Sequence, residues 1–187
     1  MPEFPDLDHW LPQVPPTPRK PAPPFELRHA VEADLGALDA RLRDWRDDRS
    51  GRTGPGRTWF RDFGGTSWLA EASRDHRPLG LLLGFRSADR PDEAVIHLLA
   101  VDPEFRRRGI GRALVERLAS QLGAAGATRL VATCTPDERI ALAFFGALGF
   151  APDAGPGSTR LYGVPAYEDW DGAGEDRVLL ERAISPR

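Results

Sequence analysis

A single cysteine, Cys134, among 187 residues rules out a disulfide within the chain, and a reducing cytoplasm is the expected compartment. No apolar run approaches the roughly 18–20 residues needed to cross a bilayer, so no membrane association is expected. The opening Met1-Pro2-Glu3-Phe4-Pro5-Asp6 carries acidic side chains where a secretory signal carries positive charge. Lysine is almost missing: Lys20 is the only one, and the other cationic side chains are arginines. Basic charge is not in excess either. The net charge of −3 and a pI near 5.8 argue against a general nucleic-acid binder. His9, His29 and His76 are scattered without ligand spacing, so no metal site is expected.

What is present suits one domain with a short appendage. Hydrophobic residues make up 41% of the chain, enough for a single core. Residues 1–24 form a proline-rich N-terminal arm, with Pro12, Pro15, Pro16, Pro18, Pro21, Pro23 and Pro24 favouring extended backbone. Phe4, Leu7, Trp10 and Leu11 would let this arm lie on the domain or on a partner subunit of a homodimer, and a flexible tail is the plainer reading.

The folded domain, 25–187, begins at Phe25. Helix and strand signals alternate from there. Phe25 to Arg28 reads as a strand, and Glu32 to Trp45, with Leu35, Leu38 and Leu42 at helical spacing, as an amphipathic helix. Asp47 to Gly65 reads as a mobile loop or short helix. Strands are expected at Thr66–Ala72, Leu79–Arg86 and Ala94–Val101, then a helix from Gly109 to Gly123. A strand at Arg129–Cys134, a helix from Glu138 to Leu148, a strand opening at Phe150 and a last strand from Arg177 to Ile184 follow. This alternation predicts an α/β fold with a mixed sheet and helices on both faces.

The sharpest motif is Val101-Asp102-Pro103-Glu104-Phe105-Arg106-Arg107-Arg108-Gly109-Ile110-Gly111-Arg112-Ala113-Leu114. A buried strand ends, an arginine-rich loop follows, and two glycines open a helix. Glycine permits close backbone approach, and the unpaired N–H groups of a helix start favour an anion. Three arginines add positive charge where a pyrophosphate would sit. An exposed arginine run with a glycine-rich helix cap is the alternative. The lysine and spacing of a nucleotide-hydrolase P-loop are missing, as is the third glycine of the dinucleotide fingerprint.

Arg106-Arg107-Arg108-Gly109-Ile110-Gly111 resembles the Arg/Gln-x-x-Gly-x-Gly/Ala signature of the GNAT superfamily of N-acetyltransferases. Ala141-Leu142-Ala143-Phe144-Phe145-Gly146-Ala147-Leu148-Gly149-Phe150 resembles the family's second block, a helix ending in a leucine-glycine-phenylalanine turn. The resemblance covers roughly Phe25 to Ile184 and implies the GNAT fold, with a splayed central sheet. It implies acetyl-CoA as co-substrate, with no metal: backbone near Leu99 and Val101 on the pantetheine arm, and Arg106, Arg107, Arg108, Gly109, Ile110, Gly111, Arg112 and Ala113 on the pyrophosphate. The implied reaction is direct transfer of an acetyl or short acyl group to a primary amine, with a small-molecule acceptor preferred.

Two departures stand out. The family's usual asparagine and tyrosine of the second block are Glu138 and Phe145 here, and phenylalanine cannot donate a proton to the coenzyme A thiolate. A frequent glutamate site on the strand before the signature holds Val95. Two residues on, His97 is expected by alternation on the same face as Val95, Leu99 and Val101, similar to the strand histidines of aralkylamine N-acetyltransferases. Its intrinsic pKa suits a general base, and a cleft-lining histidine with a satisfied hydrogen bond is the other reading. Tyr162 or Tyr167 would replace the missing acid, Tyr162 being preferred, and Asp47, Asp48, Asp169 and Asp171 would attract an ammonium group. A solvated acidic loop with aromatic anchors is the alternative there. An acyl-cysteine at Cys134 is conceivable, and a small buried hydrophobe is the expectation. The rival functions are an acyl-CoA-binding regulatory module with little turnover and a partner-binding protein working through its proline arm.

Overall fold

The computed structural model describes residues 23–46 and 55–185. The arm assigned to 1–24 therefore lies outside the described residues, apart from Pro23 and Pro24. The described chain falls into two compact units, one running to residue 130 and including 184–185, the other formed by 131–183.

The first unit is built on four antiparallel strands in chain order, β1 (Phe25–His29), β2 (Trp68–Ala72), β3 (Pro78–Arg86) and β4 (Glu93–Val101). In β3, Leu79, Leu81, Leu82 and Leu83 are all fully buried, the pattern of a strand covered on both faces. On one face lies α1 (Leu35–Arg46), whose Leu38, Leu42 and Trp45 join Leu81, Leu83 and Ala100 in one cluster. The helix expected from Glu32 begins instead as a 3-10 turn, Glu32–Asp34. There the Asp34 carboxylate accepts the Val31 N–H at 2.8 Å and fixes the entry. Phe60 of α2 (Arg57–Arg61) enters the same cluster.

The opposite face is covered by α3 (Ile110–Ala124). A Cβ on Gly84 of β3 would lie 2.7 Å from Leu118 Cδ2, and one on Gly80 would lie 3.1 Å from Ile110 Cγ2. Gly84 is therefore the residue that lets α3 close onto the sheet. Thr128 and Arg129 donate their N–H groups to the Asp92 carbonyl at 2.8 and 3.0 Å, and Arg129 also pairs with the buried Glu93 carboxylate at 2.7 Å.

β5 (Arg129–Cys134) leaves the first unit and enters the second, which adds α4 (Arg139–Gly146), β6 (Ala151–Pro152), β7 (Thr159–Leu161), β8 (Val164–Ala166) and β9 (Val178–Ala183). α4 stops two residues short of the expected Leu148. Phe150 N–H reaches back to the Phe145 carbonyl at 3.1 Å across Gly149 at φ 85°, a closure that satisfies the last carbonyls and ends the helix. β6 pairs antiparallel with β9. β7 and β8 form a hairpin that hydrophobic alternation does not reveal, joined by Tyr162 and Gly163 at φ 49° and 91°, the signs of a type I′ turn.

Candidate active site

β4 ends at Val101, and the chain turns at once. Asp102 Oδ1 accepts the Glu104 N–H at 3.0 Å and starts a single 3-10 turn, Pro103–Phe105. The Phe105 ring is buried beneath the loop, with the guanidinium carbons of Arg77 and Arg108 at 4.5 and 5.0 Å from its centroid. Two left-handed residues follow in close succession, Arg107 at φ 60° and Gly109 at φ 87°, and Gly109 is the cap of α3. Left-handed residues ahead of a helix can gather N–H groups toward an anion, and the first N–H groups of α3 have no intrahelical carbonyl to bond. A Cβ built on Gly109 meets no protein atom within 4 Å. The backbone there borders open space.

Arg106, the first residue of the signature, turns its side chain away from that space. Its Nε donates to the Val101 carbonyl at 3.2 Å, and its terminal amino group donates to the Trp45 carbonyl in the last turn of α1. A guanidinium at a helix C-terminus satisfies an otherwise unpaired carbonyl and complements the dipole. The Arg106 N–H also points back, toward the Pro103 carbonyl at 3.5 Å. Its side chain thus braces the loop, while Arg107, Gly109 and Arg112 are exposed and Ile110 and Gly111 are buried.

The strand before the loop departs from the expected alternation. Leu98 pairs with Leu83, but Ile96 pairs with Gly84, so His97 is an extra residue in the register of β4. This bulge changes the faces. Leu99 and Val101, opposite Leu82 and Gly80, share the face of α3, whereas Val95, opposite Phe85, shares the face of Leu98 and Ala100 on the α1 side. His97 is therefore not in line with Val95, Leu99 and Val101. It is exposed, and its ring stacks on Trp59 of α2 at 4.0 Å with planes 12° apart. Trp59 fell within the stretch from Asp47 to Gly65 read as loop or short helix; the aromatic trio Trp59, Phe60 and Phe63 at helical spacing was the signal available for it. Asp47 and Asp48 lie outside the described residues.

In the second unit, Glu138 is exposed at the head of α4, and its carboxylate accepts the Thr135 N–H at 3.2 Å. Phe145 is buried, edge-on to Phe150 at 5.0 Å and to Phe144 at 5.2 Å. Tyr162 is 69% exposed at the hairpin tip. Tyr167 instead donates its hydroxyl to Asp153, and that hydrogen bond, with burial and the carboxylate's charge, raises its pKa. Asp169 accepts the Gly174 N–H at 2.6 Å, and Asp171 pairs with Arg177 at 2.8 Å, so both carboxylates shape the late loop. Cys134 is buried, and desolvation, aided by the Glu138 charge, pushes its thiol up to about 12. A thiol so poor in thiolate is a packing residue, not a nucleophile. Among the described residues no group of three or more metal-ligating side chains converges.

A loop of this geometry, between a buried strand and a helix, invites comparison with known proteins. A model of the acetyltransferase (GNAT) family matches residues 26–150. The chain belongs to that family. An L-2,4-diaminobutyric acid acetyltransferase of Nocardia farcinica is 37% identical over 90 residues, 48% of this chain and 46% of that protein. The [ribosomal protein bS18]-alanine N-acetyltransferase of Escherichia coli is 39% identical over 94 residues, 50% of this chain and 58% of that one. These alignments span about half the length of the relatives. Among solved structures, a GNAT superfamily phosphinothricin acetyltransferase from Sinorhizobium meliloti in complex with AcCoA superposes with a TM-score of 0.64 at 21% identity. That superposition covers 86% of this chain and 89% of that one. A diaminobutyrate acetyltransferase from Paenibacillus lautus superposes with a TM-score of 0.58 at 19% identity, over 88% and 96% of the two chains. The α/β GNAT fold is thereby established. Among the described residues, no helix is long and apolar enough to cross a membrane.

Proposed function

We propose that this GNAT chain is an acetyl-CoA-dependent N-acetyltransferase that passes an acetyl or other short acyl group directly to the primary amine of a small molecule. The observation that supports this most is the loop ahead of α3, where Gly109 holds a left-handed conformation facing open space. N–H groups from Arg107 to Arg112 would take the pyrophosphate, with Ala113, whose own N–H donates to the Gly109 carbonyl at 2.9 Å, continuing the contact, and the arginine side chains there would screen its charge. Pantetheine would pair with backbone at Leu99 and Val101, the Val101 carbonyl keeping one lone pair beyond its bond from Arg106. Glu138 and Phe145 are assigned the second block's share of the cofactor contact.

In the transfer step the amine lone pair attacks the thioester carbonyl carbon. A C–N bond forms, the C–S bond breaks, and the amine proton must leave while the thiolate gains one. His97, exposed and with a suitable intrinsic pKa, is assigned the amine proton. Tyr167 already gives its hydroxyl to Asp153, which leaves Tyr162 as the phenol assigned to the departing thiolate. The small-molecule acceptor draws support from the diaminobutyric acid acetyltransferases among the relatives, while the ribosomal-protein enzymes make an N-terminal amine the competing acceptor.

The test is release of coenzyme A thiol from acetyl-CoA with L-2,4-diaminobutyrate, a panel of monoamines, and a peptide beginning with alanine. Release with a small amine supports the proposal. Release with the peptide alone moves the acceptor class to protein N-termini. Thermal stabilisation by acetyl-CoA without release across the panel identifies an acyl-CoA-binding module, and the absence of both effects refutes the cradle.

A further inference from the structure

The bulge sets His97 off the register that aims its neighbours, on an exposed stretch of β4. Its ring is laid flat on the Trp59 indole, at 4.0 Å and 12°. Trp59 is itself well held. Phe63 and Phe85 lie 4.9 and 5.9 Å from it and 5.8 Å from each other, and it packs against the cluster of Leu38, Leu42 and Leu83.

We infer that Trp59 is the positioning residue for His97, holding the imidazole plane so that the base meets the acceptor amine in one orientation. The inference rests on His97 being the base, as proposed above. Face stacking suits the task because the ring nitrogens lie in the imidazole plane. The indole covers a face and does not itself occupy either nitrogen edge. An indole face also attracts a cation, so the contact strengthens as the imidazole takes up the amine proton. A bulge that re-aims one side chain and an aromatic platform that then fixes it form a single device, built from β4 and α2.

The experiment compares the native protein with Trp59→Leu, Trp59→Phe, His97→Gln and the Trp59→Leu/His97→Gln double variant. Thiol release is read with L-2,4-diaminobutyrate and benzylamine as probe amines, and histidine ring protons are read by NMR. The His97 resonance is assigned by its loss in His97→Gln. Its ring protons should lie upfield through the indole ring current, return downfield in Trp59→Leu, and stay partly shifted in Trp59→Phe. Trp59→Leu should lower kcat about three- to tenfold, the worth of one aromatic contact expressed as a rate, with the KM for acetyl-CoA unchanged. Trp59→Phe should recover most of that loss and also serves if the leucine variant folds poorly. In the His97→Gln background, Trp59→Leu should cost nothing further. An equal loss in both backgrounds, or unshifted ring protons in the native protein, overturns the inference. An unchanged kcat in His97→Gln instead removes the base assignment, and the ring-proton comparison alone then decides whether Trp59 orients the ring. That comparison also decides if neither amine is turned over.

Discussion

Replacing Gly109 by alanine separates the demands of the fold from those of the ligand. The added methyl meets no protein atom within 4 Å, so packing does not oppose it. The φ of 87° does oppose it, because a left-handed conformation costs a residue with a Cβ about 1–2 kcal/mol. For a chain of this size each kcal/mol moves the Tm by about 2–4 °C, so Gly109→Ala alone should lower it by about 2–8 °C. Acetyl-CoA at a hundred times its Kd should stabilise the native protein by about 2.7 kcal/mol, or about 5–11 °C. In Gly109→Ala that gain should nearly vanish, since the methyl would enter the space proposed for the phosphate. Gly109→Asn, which tolerates the left-handed region better, should recover part of the starting Tm and none of the ligand response. Gly84→Ala is the opposite control: its methyl drives into Leu118, so it should lose Tm yet keep the full ligand response. The measurement is differential scanning fluorimetry across a ligand titration. A full acetyl-CoA response in Gly109→Ala would show that the pyrophosphate lies elsewhere.

Two further outcomes follow from titratable groups. Burial alone would raise the Glu71 carboxyl, but hydrogen bonds from His76 at 2.9 Å and Arg28 at 2.8 Å outweigh it and hold its pKa below the usual carboxylate range. A depressed carboxyl adds stability that is present above about pH 4 and is lost as pH falls through the folded value. Glu71→Gln should therefore cost about 1–3 kcal/mol in urea melts at pH 7 and much less at pH 3; equal costs at the two pH values would refute the pairing. Cys134 should resist iodoacetamide at pH 8 in the native protein and react once unfolded, and Cys134→Ala should retain its turnover. A hundredfold fall in kcat in that variant would revive the acyl-cysteine.

The strand-loop-helix at the signature was legible because its signal is local: strand end, arginines, two glycines and helix start are consecutive residues. Leucine-rich β3 and the helical spacing in α1 and α3 were legible for the same reason. The bulge at His97 was not, because it exists only in the register between β4 and β3, and simple alternation cannot count an extra residue. Arg106 was legible only in part, because its hydrogen bond to the Trp45 carbonyl joins residues 61 apart. The β7–β8 hairpin went unseen because tyrosine stands where a type I′ turn usually has asparagine or aspartate.

The phase of β4 on either side of the bulge has one more consequence. Ala94 and Ile96 face the same way as Leu99 and Val101, and Val95 faces the same way as Leu98 and Ala100. With position 97 removed, the two halves of the strand would therefore join in perfect alternation, each apolar side chain keeping its side. Position 97 is thus a slot in the scaffold, where a change of side chain leaves the alternation of both core faces intact and alters chiefly what lies on Trp59.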